Sequence, residues 1–103
     1  IELTAAGDTF INFNVPAAAT VSYFAAKVDA GSITLHLYKR AESTPETGTT
    51  SVFTSAPTIT TTWTSQTINA GGLTARQWLV PSIISIASGT PTKMWLLIER
   101  TID

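Results

Sequence analysis

In the ten residues GSITLHLYKR, positions 31 to 40, His36, Tyr38 and Arg40 fall at alternate positions, with Ile33, Leu35 and Leu37 offset between them. Side chains in a strand have a period of two, so the aliphatic set can enter a core while the polar set shares the outer face. A flat ring there can stack on the C–H face of a sugar, and a guanidinium beside a phenol can bond hydroxyls or a carboxylate. An ordinary half-buried outer face, with Tyr38 as a core edge, accounts for the same residues. Three tryptophans are the other notable groups: Trp63 shares its parity with Ile59 and Thr61, Trp78 with Arg76 and Val80, and Trp95 with Lys93, Leu97 and Glu99. Small β-domains mostly bury such rings, yet aromatic anchors also concentrate where a ligand or a neighbouring subunit docks. Trp95 stands out because its strand is apolar on both faces, more than one sandwich layer can use.

The same inventory argues against catalysis and metal chemistry. His36 is the only histidine and there is no cysteine, so zinc finds no ligand set at the usual spacing. Asp8, Asp29 and Asp103 are isolated, whereas calcium needs clustered oxygen ligands. No G-x-S-x-G turn is present to present a serine nucleophile to His36. Glycoside hydrolysis needs two facing carboxyl groups, and two of the four glutamates, Glu42 and Glu46, lie in a polar loop, apart from Glu2 and Glu99. The expectation is a non-catalytic chain with no metal and no cofactor.

β-Branched residues dominate, threonine above all from Thr58 to Thr67, and they suit a pleated, half-buried surface. Alternation and turn residues predict strands at residues 1–5, 9–15, 20–28, 33–40, 51–55, 58–69, 73–80 and 92–101. Asp29-Ala30-Gly31-Ser32 carries turn chemistry, which predicts a hairpin between 20–28 and 33–40. Residues 41–50, AESTPETGTT, read as a surface loop with a mobile tip. Residues 79–87, LVPSIISIA, contain Pro81 and could form one short helical turn. The last strand, 92–101, reads as covered on both faces. Short strands at this density predict an all-β, antiparallel two-sheet β-sandwich of jelly-roll type in one domain, residues 1–103, with an immunoglobulin-type arrangement, here without paired cysteines, as the alternative.

The chain has 103 residues, 44% hydrophobic, 13% charged and a formal net charge of -1. That is enough apolar surface for one core, and its charge is about half the usual globular share. Of the six basic residues only Lys39 and Arg40 are adjacent, so no stripe could neutralise many phosphates, and nucleic acid is not an expected partner. No run approaches the roughly 18 apolar residues of a membrane span. The opening IELTAAGDTF has neither the basic start nor the apolar run of a signal peptide, and the chain reads as mature or excised. Low charge and a threonine-rich surface point to an extracellular or virion-surface setting.

The succession TVSYFAAKVDAGSITLHLYKR, TTTWTSQTI, RQWLVPSI and PTKMWLLIER resembles the middle and end of carbohydrate-binding-module-like jelly rolls. Its carriers are a Y-x-A-K strand, a T-L-x-L strand, a central tryptophan strand and an apolar closing strand. Related sandwiches serve as modules in phage tail fibres, tailspikes and capsid decorations. The resemblance implies no fixed catalytic residues and sugar contacts through exposed aromatics whose positions vary. Two functions follow as expectations. One is a surface module binding a cell-surface glycan through His36, Tyr38, Arg40, Trp63 and Trp95. The other is a structural subunit, a homo-oligomer whose aromatics meet a neighbouring protein chain, since few charges guard its strand edges.

Overall fold

The computed structural model describes residues 7–8 and 13–103, and these are all-β, with no helix among them. The strands are β1 (Gly7–Asp8), β2 (Phe13–Asn14), β3 (Ala19–Val28), β4 (Ser32–Arg40), β5 (Thr50–Ser51), β6 (Thr58–Ile59), β7 (Thr64–Ser65), β8 (Gly72–Leu73), β9 (Trp78–Ser88) and β10 (Met94–Ile102). One sheet runs β1-β9-β4-β5, with β2 also on β9 and β6 also on β4; the other runs β10-β3-β7, with β8 also on β3. Every pairing is antiparallel. The expected strand at residues 1–5 and most of that at 9–15 lie outside the described residues.

The core is the space between the two sheets. Ile33, Leu35 and Leu37 of β4 and Leu79 and Ile83 of β9 meet Val21, Phe24, Ala26 and Val28 of β3 and Met94 of β10, all buried. Phe24 packs edge-on against Phe53, with ring centroids 4.9 Å apart. β4 keeps the two-residue alternation that the sequence displays, with Ile33, Leu35 and Leu37 on the inner side, whereas β3 changes phase once, Val21 and then Phe24, Ala26 and Val28 facing inward, at the register shift opposite Glu99 and Arg100.

The predicted hairpin does not form. β3 and β4 belong to different sheets, and residues 29–31 carry the chain across the sandwich. Two competitors decide this. Both edges of β4 are taken by residues distant in sequence, β9 on one side and β5 and β6 on the other. Asp29, read as a turn former, instead accepts hydrogen bonds from the Thr92 amide at 2.9 Å, the Thr92 hydroxyl at 2.6 Å and the Lys93 amide at 3.1 Å. It ties the β3–β4 crossing to the β9–β10 crossing. Those three donors hold the Asp29 carboxyl at about 2, below its ordinary 3.8, the Thr92 hydroxyl contributing most. The folded-state value is depressed, so the clamp's stabilisation is complete above 3.8 and is lost as pH falls toward about 2. Unfolding free energies of the parent and Asp29→Asn should therefore converge through that window, which denaturant titrations at each pH would show.

Gly31 and Gly89 sit in these two crossings at φ 65° and 67°. A Cβ on Gly89 would lie 2.9 Å from the Gly31 Cα, and backbone cannot swing aside as a side chain can. Gly89→Ala is expected to cost roughly 1–3 kcal/mol, from the strained φ and the clash. Gly72→Ala, whose Cβ meets nothing within 4 Å, should stay within about 0.5 kcal/mol of the parent, and thermal melts of the two variants check both values.

Two expected strands are interrupted. Within 58–69 the chain leaves β4 after Ile59 and reaches β3 at Thr64. Between them the Thr60 hydroxyl accepts the Thr62 amide at 3.3 Å, and the Thr64 hydroxyl donates to the Thr62 carbonyl at 3.1 Å. Threonine side chains here compete with a ladder for the backbone. Within 73–80, a turn intervenes in which the Thr74 amide donates to Gln77 Oε1 at 2.9 Å and Arg76 takes φ 67°. The helical turn expected at 79–87 is instead part of β9. Leu35 donates to Pro57 and Leu37 accepts from Val52, so the odd residues of β4 bond away from β9. Pro81 lies opposite Leu37, where no amide is asked to bond β4, and the ladder tolerates it.

Candidate functional site

The residues singled out in the sequence separate onto the two outer faces. On the six-stranded sheet, His36 and Tyr38 stack with centroids 5.3 Å apart, and the Arg40 guanidinium lies 5.2 Å from the Tyr38 ring. The alternation thus produces the expected column. Its chemistry is turned inward, however. Arg40 is only 6% exposed and donates through Nε to Gly48 O and through Nη1 to Pro45 O, both at 3.0 Å. The guanidinium holds the 41–50 loop in place. His36 Nδ1 shares a 2.8 Å hydrogen bond with the Ser51 hydroxyl, and burial pushes the imidazole below its ordinary 6.5. It is therefore neutral near pH 7. Val80 and Ser82, opposite Tyr38 and His36 on β9, are buried as well. Trp78 is half-buried beside Arg40 and donates its indole N–H to Glu42 O at 3.2 Å.

The four-stranded sheet presents the open face. Trp95 on β10 stands directly opposite Lys27 on β3, and the β3–β7 register places Trp63, just before β7, on the other flank of Lys27. The Lys27 ammonium lies 5.2 Å from the Trp95 ring and 5.8 Å from the Trp63 ring. Trp95 is 44% exposed and Trp63 49%. One row away, Ala25 is shielded between Leu97 and Ser65, and in the next row Tyr23 pairs with Glu99, with Leu97 and Tyr23 both exposed. The result is a flat strip in which two indoles bracket an ammonium, continued by a leucine and a phenol.

The expectation that β10 is covered on both faces is corrected here. Met94, Leu96 and Ile98 turn inward, but the Trp95–Leu97 side is exposed, because among the described residues no third layer lies over β10 and β3. Lys27 and Tyr23 escaped notice in the sequence. Their parity within SYFAAKV was visible; their partners were not, because register with β10 joins residues about seventy positions apart.

β10 is also the terminal strand of its sheet among the described residues. Beside it runs a groove of about 520 Å³ lined by Phe13, Val15 and Leu79 from one sheet and Leu96, Ile98 and Arg100 from the other. Among the described residues no three of His, Cys, Asp and Glu gather as metal ligands. No family model, curated protein or solved structure matches the chain.

Proposed function

We propose that this chain is a non-catalytic surface binding module that recognises glycans, set on a virion or a secreted protein. The observation that carries the reading is the Trp63–Lys27–Trp95 row, two rings left half open to solvent on the outer face of the four-stranded sheet. A monomeric fold normally hides such rings, and burying each against a ligand returns free energy that the isolated chain forgoes. The exposed Ser65 on β7, on the same face as Trp63 and one row along, supplies a polar partner for sugar hydroxyls. A glycan array read with the parent and with Trp95→Ala tests this. Retained signal in the variant, or none in the folded parent, would count against it.

A second reading rests on a different observation, the edge of β10, unpaired among the described residues, with the groove beside it. A strand from another chain could extend the sheet there, its alternate side chains entering the groove, which would make the protein an assembly subunit. Sedimentation of the parent separates the two. A stable oligomer that Trp95→Ala leaves intact while glycan binding is lost favours the first; dissociation on Phe13→Arg, which blocks the groove, favours the second.

A further inference from the structure

We infer that the open strip selects anionic polysaccharides over neutral ones, and that Lys27 is the residue that sets this preference; the inference rests on the glycan reading above. Trp95 and Trp63 flank β3 on either side, so their backbones stand about 10 Å apart, twice the strand spacing. That separation suits alternate sugars of an extended chain, one on each indole. The sugar between them would then lie over Lys27. The slot between the two rings, which could cage a cation, is already occupied by the protein's own ammonium. A positively charged ligand is repelled there, and a carboxylate or sulfate on the middle sugar meets a cation.

The charges around the strip are consistent with this placement. Among the described residues no carboxylate forms an ion pair with Lys27. Lys93 lies two residues before Trp95 with the same parity, and its charge offsets that of the neighbouring Asp29 carboxylate at that end of the strip. Asp29, two residues beyond Lys27, has its carboxylate closed by the Thr92 and Lys93 donors. Glu99 is four residues from Trp95, roughly 13 Å along the strand. The group lying between the stacking rings is thus the ammonium.

Tryptophan fluorescence titrations with hexagalacturonate and with mannohexaose, on the parent chain, Lys27→Met and Lys27→Arg, test the inference. Methionine keeps a similar length of apolar stem and removes the charge. The acidic oligomer should bind the parent roughly fivefold more tightly at low salt, the order expected of one exposed charge pair. The advantage should vanish in about 1 M NaCl, vanish in Lys27→Met while mannohexaose binding persists, and survive in Lys27→Arg. Equal binding of both oligomers by the parent, or an acidic preference unchanged in Lys27→Met, would overturn the role of Lys27 and leave glycan binding standing. Binding of neither oligomer by the folded parent would remove the glycan reading and this inference together.

Discussion

Phe24→Ala should be the most damaging single change in the core, lowering the unfolding free energy by about 3–5 kcal/mol. Phe24 is fully buried and packs against Phe53, which follows β5 of the opposite sheet, so its ring joins the two layers. Its loss leaves a cavity that strands held by ladders on both sides cannot collapse to fill. A domain of this size holds some 5–15 kcal/mol in all, so the variant should melt on the order of 15 °C or more below the parent and be close to unfolding at ordinary temperatures. There are no disulfides to compensate, the chain having no cysteine. Tyr23→Ala provides the control. Tyr23 is the adjacent residue on the opposite face, and its change should cost no more than about 1 kcal/mol. Urea titration followed by tryptophan fluorescence measures both. Equal losses would mean that the assigned inner and outer faces of β3 are wrong.

The second large effect concerns binding. Removing both indoles, as Trp63→Ala with Trp95→Ala, should abolish detectable glycan binding while the melting temperature changes little. Stacking a half-exposed indole on a sugar face buries apolar surface worth roughly 2 kcal/mol, about thirtyfold in affinity per ring. The two rings lie on the same row, so a ligand that spans them loses both contributions. Calorimetric titration with whichever array glycan binds best gives the number, and thermal melts check the fold. Little change in affinity would move the binding surface elsewhere, and the His36–Tyr38 column on the opposite sheet would be the next face to mutate.

Much of this architecture was readable from local pattern. Apolar patterning in TVSYFAAKV and SITLHLYKR marks two long strands, and in the second strict alternation tells which side is buried, because a side-chain period of two depends on the backbone alone; in the first, the shift of the inner face from Val21 to Phe24 comes only with its register on β10. The strand at MWLLIERTI follows for the same reason. Alternation also placed His36, Tyr38 and Arg40 on one face. It could not say that Arg40 would be drawn onto Pro45 and Gly48, since a long polar side chain takes the acceptors that loop closure brings within reach. Thr60 misled in the opposite direction. Its β-branched shape favours a strand, but its hydroxyl also competes for nearby amides, and the crossing to β7 settles which tendency prevails.

The sequence by itself determined the class of fold: strands with one greasy side and too little helical pattern to be anything else. It also determined that stability would come from burial, with no covalent staple. Which strands are neighbours was decided by the tertiary structure. Turn residues at 29–32 are compatible with a hairpin or an arch, and only the pairing of β4 with β9, some fifty residues away, selects the arch. The open strip has the same origin. Trp63, Lys27 and Trp95 are remote in sequence, and they form one surface only because the registers of β7 and β10 on β3 bring them into a single row. Register is a property of paired backbones, and a strand's own residues do not encode its partner's position.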